Sequence, residues 1–154
     1  MADSPPWVPR ALSYLVGITL VLLVVQYLLG LWTNAYAPAM FSPSNHSFAA
    51  LGFHVLVGYV VGVVALALLI VAAFSRNPRY AIQSFVVLVA IALAGVFGML
   101  FVSSTPNNPA YSFGMGFMFL VAFGACMGLS WSVWGARSRL STPPSPSPPS
   151  GPTT

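Results

Sequence analysis

Four long apolar runs alternate with short polar segments along the chain. The runs cover about residues 11–32, 48–74, 80–102 and 111–134. Each exceeds the roughly 20 apolar residues that a helix needs to cross a bilayer. The runs are apolar nearly all round, and a helix supplies internal partners for its backbone polar groups, as lipid requires. The pattern predicts an all-α bundle of four transmembrane helices with up-down-up-down topology.

The segments between and around the runs are short or polar. They are a proline-rich lead at 1–10, uncharged loops at 33–47 and 103–110, and a tight basic turn at 75–79. Residues 141–154 (STPPSPSPPSGPTT) are rich in Pro, Ser and Thr, which cannot bury a core, so we expect a disordered tail. The chain therefore divides into the lead (1–10), a membrane domain (11–140) and this tail.

Composition agrees with a membrane location. Hydrophobic residues make up 58% of the chain and charged residues 4%, whereas about a quarter of the residues of a soluble protein are charged. A soluble fold with so few charges would have no surface to present to water. The pI of about 9.7 comes from five arginines spread along the chain, and nucleic-acid binding requires a clustered basic patch. We therefore expect contact with the lipid bilayer and none with nucleic acid.

The placement of the arginines predicts the orientation. Arg10 precedes the first run, Arg76 and Arg79 lie between the second and third, and Arg137 and Arg139 follow the fourth. All the positive charges thus fall on one side, which the positive-inside rule makes cytoplasmic. We expect a multi-pass protein of the cell membrane with both termini in the cytoplasm.

The absence of charge within the runs argues against several function classes. The single carboxylate, Asp3, lies outside the predicted spans, which hold no Asp, Glu, Lys or Arg. Ion-coupled carriers, proton pumps and voltage sensors place such residues within the membrane. Carboxylate pairs for acid–base catalysis and a Ser-His-Asp triad lack their acids. The chain is a poor candidate for a hydrolase, a transferase or an ion-coupled carrier.

His54 is the residue within a span that is best suited to carry chemistry. It shares one helix face with small residues at four-residue spacing, Ala50, Gly58 and Gly62. Small residues let another helix approach closely, and the same face would admit a flat macrocycle. Three interpretations stay open: a hydrogen bond to a neighbouring helix or water, axial ligation of haem b, and a contact to another metal or a quinone.

A haem at His54 needs its second axial ligand from elsewhere. His46 would lie about 12 Å further along a continuous helix, so the two histidines cannot flank one iron. Three methionines of the third and fourth runs lie at a comparable depth: Met99, Met115 and Met118. With Met40 and His46 they form a loose His/Met collection on the outer side, and thioether and imidazole groups suit Cu(I). His46 and His54 are therefore also candidate copper ligands.

Small residues on the other runs predict close helix packing. The faces are Gly124, Gly128 and Ser132 on the fourth run and Ala90, Ala94 and Gly98 on the third. Such faces serve packing within a bundle, against membrane-protein partners or against a second copy. The fourth run also opens with Phe113-Gly114-Met115-Gly116, which indicates a hinge or a close backbone contact.

Four single residues complete the set of candidates. Gln26 and Gln83 are lone polar residues of the runs, and we expect each to hydrogen-bond a neighbouring helix. Cys126 is the one cysteine of the chain and is expected to be a small buried hydrophobe. Asn45 begins a glycosylation sequon, Asn-His-Ser, on the predicted outer side.

Several stretches resemble small prokaryotic four-helix membrane proteins of no settled function. The stretches are QYLLGLWTNAY, LGFHVLVGY, LAGVFGMLF and YSFGMGFMF, within residues 26–119. The HVLVGY segment is also similar to histidine-bearing helices of half-size haem A synthases and cytochrome b561-like bundles, in which histidines on several helices bind haem. The resemblance implies a four-helix membrane fold and a haem ligand at His54, the one position to which it extends.

Together these features predict a protein that is not an enzyme. The leading hypothesis is a small accessory subunit of a larger membrane complex, with a respiratory complex as one candidate. It follows from the uncharged spans, the small-residue faces and the short loops. The alternative is a redox or haem-handling protein in which His54 ligates haem b. A further alternative is an outward-facing His/Met copper site.

Overall fold

The computed structural model describes the backbone of residues 5–40, 47–104 and 108–140, and the side-chain surroundings of residues 5–33, 51–104 and 108–135. Four α-helices occupy these residues: α1 Val8–Met40, α2 Ser47–Phe74, α3 Pro78–Ser103 and α4 Pro109–Leu140. The predicted all-α four-helix fold is confirmed, and each helix contains one predicted span. The predicted tail at 141–154, the Asn45 sequon and His46 lie outside the described residues.

Each helix contains a stretch long and apolar enough to cross a membrane. The stretches are Val8–Thr33, Leu51–Phe74, Pro78–Ser103 and Pro109–Gly135. In the most apolar part of each stretch at most 22% of the residues are buried inside the bundle. The remaining apolar surface needs an apolar solvent, which a lipid bilayer supplies. The chain is therefore a multi-pass membrane protein.

Helices α3 and α4 both begin at an Asn-Pro pair. The Asn77 side-chain oxygen accepts a hydrogen bond from the Arg79 backbone N–H at 3.1 Å, and that of Asn108 accepts one from the Ala110 N–H at 3.0 Å. Asparagine is a favoured N-cap, and proline at the first helical position gives up an N–H that has no partner within the helix. The same local signal thus starts two helices directly after short turns.

Helix α1 is longer than the sequence predicts. The loop prediction from residue 33 onward is wrong as far as Met40, because the backbone stays helical to that residue. The turn signals Asn34 and Pro38 are interleaved with three alanines, the strongest helix formers. A proline removes a hydrogen bond to the preceding turn but does not by itself prevent the helix from continuing. Helix α1 therefore continues for about two turns beyond its most apolar part.

The four helices pack as a square. Consecutive helices are neighbours and α4 closes onto α1, whereas within the described residues the diagonal pairs α1/α3 and α2/α4 have no Cα atoms within 8 Å of each other. The ring of Trp7, before α1, lies 6.1 Å from that of Phe74 at the end of α2. The Cys126 thiol lies 3.9 Å from the Val16 carbonyl oxygen, between α4 and α1. Neighbouring helices are antiparallel, as the predicted topology requires.

The close-packed core occupies one half of the bundle. We name the end that carries Arg10, Arg76 and Arg79 the arginine end, and the opposite end the far end. The buried apolar side chains of the core cluster are Leu12, Val16, Leu23, Val61, Ala65, Leu68, Ala72, Val87, Ala90, Ala122, Cys126, Leu129 and Val133. Most of them lie in the half next to the arginine end, and Leu23, Val61 and Ala122 lie near the middle of their helices. Towards the far end, beyond these residues, Thr33 is the one buried residue among the described side chains.

Candidate functional site

His54 lies in the far half of the bundle, on the face of α2 that packs against α1. The Gln26 side-chain amide donates to His54 Nε2 at 3.3 Å. Because an amide nitrogen can only donate, His54 accepts at Nε2 and carries its ring proton on Nδ1. The predicted interhelical hydrogen bond of Gln26 is confirmed, and His54 has the helix-to-helix contact that was the first of its three interpretations.

Two glycines make room for this pair between the helices. A Cβ atom built on Gly58 would lie 3.2 Å from Gln26 Nε2, and one built on Gly30 would lie 3.4 Å from His54 Cε1. Gln26 and Gly30 lie one helical turn apart on α1, as His54 and Gly58 do on α2. In an antiparallel pair, each polar side chain therefore meets the glycine of the opposite helix.

Two polar atoms of the pair are buried without a hydrogen-bond partner in the described structure. They are Gln26 Oε1 and His54 Nδ1. Leaving a buried donor or acceptor unpaired costs about 1–3 kcal/mol. The interface between α1 and α2 thus presents one donor, Nδ1–H, and one acceptor, Oε1, to any polar group that enters it.

The second glutamine has a different environment. Gln83 packs across the α3–α4 interface, where a Cβ on Gly128 would lie 3.2 Å from its Nε2. Its Oε1 is buried without a partner in the described structure, as is the hydroxyl of the adjacent Ser84. Gln83 therefore contacts α4, but in the described structure its Oε1 does not make the interhelical hydrogen bond that the sequence predicts. Among the described residues no hydrogen bond joins Gln83 to a titratable side chain, so the Gln26–His54 pair is the stronger candidate site.

The methionines that the sequence associates with His54 lie on other parts of the square. The Met115 sulfur lies 3.4 Å from the Cβ position of Gly98, in the α3–α4 interface. Met118 is half-buried on α4, and Met99 is 72% exposed on the surface of α3. In the described residues, no Cα atom of α2, the helix that carries His54, lies within 8 Å of a Cα atom of α4. Haem ligation by a His54–Met pair stays a prediction.

Metal binding in general also stays a prediction. Within the described residues there is no group of three or more His, Cys, Asp or Glu side chains placed to hold a metal ion. His46, the second candidate copper ligand, lies outside those residues. Copper ligation by His46 and His54 stays a prediction.

No protein-family model, curated protein or solved structure matches this chain.

The geometry of the Gln26–His54 site places a condition on haem binding. Ligation through His54 Nε2 would displace the Gln26 amide from the atom to which it donates. The contact of the imidazole edge with α1 at Gly30 leaves no gap for a macrocycle on that side. The residues around His54 therefore do not fit a haem in this arrangement, and ligation would require α1 to move away from α2.

At the far end, glycines also make room for large side chains between α3 and α4. A Cβ on Gly114 would lie 3.1 Å from the ring of Phe97, and the adjacent Met115 sulfur meets Gly98. Gly114 and Met115 are adjacent on α4, and Phe97 and Gly98 are adjacent on α3. Each large side chain therefore packs against the glycine of the opposite helix. Of the two sequence interpretations of the Gly114 region, the structure favours the close contact.

The sequence identifies three members of the Gln26–His54 site but not the fourth, Gly30. A signal for it was present, since Gln26 and Gly30 have the same spacing as His54 and Gly58. Two such polar-and-glycine turns on consecutive helices indicate a reciprocal contact. The spacing alone does not say that the two turns lie at the same depth, which depends on the length and path of the connection.

Proposed function

We propose that the protein is a non-catalytic accessory subunit that packs against other proteins of a larger membrane complex. One observation carries the proposal: some glycines of α3 and α4 face out of the bundle. Gly95, Gly116 and Gly124 are exposed, and a Cβ built on any of them would meet nothing within 4 Å.

These outward glycines contact no side chain of another helix among the described residues. The glycines that serve the bundle's own packing are Gly30, Gly58, Gly98, Gly114 and Gly128. A glycine within a helix costs about 1 kcal/mol relative to alanine, and at an outward position no internal contact offsets that cost. A small residue on a lipid-facing surface does let the backbone of a second helix approach. Gly116 and Gly124 lie two turns apart on one face of α4, which suits a crossing helix.

Part of the predicted small-residue surface is used inside the bundle. On α4, Gly128 faces Gln83, whereas Gly124 stays outside. On α3, Ala90 is buried and Gly98 contacts Met115. The surface open to a partner is therefore narrower than the sequence suggests, and it is centred on Gly116 and Gly124.

The test is the size and composition of the complex purified from its own membrane in a mild detergent. We expect the wild-type chain to migrate with at least one other protein in fixed stoichiometry, and the variant Gly116→Leu/Gly124→Leu to migrate alone. Gly52→Leu is the matched control, because Gly52 is an exposed glycine on α2 with nothing within 4 Å of its Cβ position. A wild-type chain that is monomeric under these conditions would contradict the proposal.

Haem b ligation by His54 is the second candidate. It requires α1 to move away from Nε2, and it is supported by the location of His54 in the half of the bundle that lacks a close-packed core. In that half, α1 has fewer buried contacts to lose if it moves aside. Oxidised and dithionite-reduced absorbance spectra of protein from haem-replete cells test this candidate. A Soret band that disappears in His54→Ala would support it, and a featureless spectrum would remove it.

A further inference from the structure

The outward face of α1 carries an arginine in line with an apolar groove. Arg10, Tyr14, Gly17 and Val21 recur at helical spacing and therefore lie along one face. Arg10 is exposed at the arginine end, and Tyr14 is 72% exposed one turn further along. This face is turned away from the neighbouring helices and towards lipid.

The groove is a depression of about 390 Å³ in this face. Its lining residues are Ser13, Tyr14, Gly17, Ile18, Val21 and Leu22. Gly17 makes the depression possible, because a Cβ there would meet nothing within 4 Å. The Ser13 hydroxyl donates to the Pro9 carbonyl at 2.9 Å and so is satisfied within the helix. What the groove offers a ligand is an apolar surface along roughly two turns of helix.

The positive charge at Arg10 indicates which kind of ligand would bind along this face. Asp3 is the one acidic residue against five arginines, which gives the chain a net charge of +4. Arginine binds phosphate oxygens through two parallel N–H donors, and its side chain on a helix points back towards the N-terminus. From Arg10 that direction leads out of the apolar layer towards the headgroup region. A ligand with a phosphate at one end and an acyl chain at the other matches the arginine and the groove together.

We propose that α1 binds one anionic phospholipid, with its phosphate at Arg10 and an acyl chain in the groove over Gly17. This lipid occupies the leaflet at the arginine end, and its site is independent of the partner surface on α4. Two features distinguish the site from general lipid contact: selectivity for the headgroup comes from Arg10, and chain binding comes from the missing side chain at Gly17.

The test compares two phospholipids with the same acyl chains, phosphatidylglycerol and phosphatidylcholine, on the full chain purified in mild detergent. The readouts are the rise in Tm on lipid addition and the lipid retained in native mass spectrometry. For the wild type we expect phosphatidylglycerol to give the larger rise and to be retained at one molecule per chain. In Arg10→Gln the apparent affinity for phosphatidylglycerol should fall about tenfold or more, to that for phosphatidylcholine, as loss of a charge-assisted contact implies.

Matched variants separate this site from collective effects. Gly17→Leu fills the groove and should weaken both lipids, whereas Gly52→Leu, at an exposed glycine of α2, should behave as the wild type. Arg79→Gln removes an exposed arginine from the same end and should keep the preference for phosphatidylglycerol. Equal losses in Arg10→Gln and Arg79→Gln would overturn the proposal, because the arginines would then act only collectively. An unchanged lipid response in Gly17→Leu, or no headgroup preference in the wild type, would also overturn it.

Discussion

Gln26 and His54 are both too large to lie between two closely crossing helices without a matching gap, and each finds that gap at a glycine of the opposite helix. The hydrogen bond between them then joins α1 to α2 in a part of the bundle that has no close-packed core. Such bonds in membrane proteins contribute modestly, about 0.6 kcal/mol on average. The pair therefore acts more in setting the register of the two helices than in holding them together.

A double-mutant cycle measures this contact. Gln26→Met keeps the volume and removes the donor, and His54→Ala removes the acceptor. Each single variant should lower the free energy of unfolding in detergent, and the double variant should lose less than the sum by about 0.6 kcal/mol, with about 1.7 kcal/mol as the upper bound.

The matched control combines His54→Ala with Gln83→Met. Gln83 lies on the α3–α4 interface, away from His54, so these two changes should be additive within about 0.5 kcal/mol. Additivity of the Gln26 and His54 changes as well would show that the hydrogen bond contributes nothing measurable in the folded protein.

At the scale of helices, the far half is assembled by exchanges between a large side chain and a glycine. Phe97 lies against Gly114, and Met115 lies against Gly98. Dispersion contacts of this kind are what brings helices together in lipid, since apolar surface gains little by leaving an apolar solvent. In the half next to the arginine end, small buried residues such as Ala65 and Ala72 allow the approach instead.

Two glycines on α4 make this testable. A Cβ at Gly114 would meet three ring atoms of Phe97 at 3.1–3.2 Å, whereas one at Gly116 would meet nothing within 4 Å. We expect Gly114→Ala to lower the free energy of unfolding by about 1–3 kcal/mol through overpacking. Gly116→Ala should be neutral, or raise it by up to about 1 kcal/mol through helix propensity.

Thermal or denaturant unfolding in one detergent compares the two variants directly. They lie on the same helix two residues apart, so differences in membrane depth are small. Equal effects of the two substitutions would mean that the Phe97 ring moves aside at no cost and that the contact does not determine the crossing of α3 and α4.

In the whole molecule, close packing and positive charge are concentrated at the same end of the bundle. The arginines and the close-packed core are at the same end, and the Gln26–His54 pair is at the other. The positive-inside rule assigns the arginine end to the cytoplasm. On that assignment the less tightly packed half, with its unpartnered polar atoms, faces the outside.

Single-cysteine labelling tests the orientation. In a Cys126→Ala background, a membrane-impermeant maleimide should label Asn107→Cys, in the connection between α3 and α4, on intact cells. Ser145→Cys, in the C-terminal segment, should be labelled only after the membrane is permeabilised. The reverse pattern would place the arginine end outside and would contradict the positive-inside assignment for this chain.

The sequence by itself determined the number of helices, their approximate limits and the end at which the charges gather. These properties follow from hydropathy averaged over a segment and from local capping pairs such as Asn77-Pro78, neither of which depends on distant residues. The end of α1 was predicted less well. Asn34 and Pro38 are turn signals, but the three alanines interleaved with them favour the helix.

Only the tertiary structure decided which side of each helix faces inwards. A helix that is apolar on all sides has no polar face to mark its exposed surface. The sequence therefore does not distinguish glycines that face inwards from glycines that face outwards. Gly124 and Gly128 belong to one predicted stripe, yet the first faces out of the bundle and the second faces Gln83. For the same reason, the sequence did not determine the hydrogen-bond partner of His54. It depends on how far α1 and α2 slide along each other, and that is set by side-chain complementarity between residues far apart in the chain.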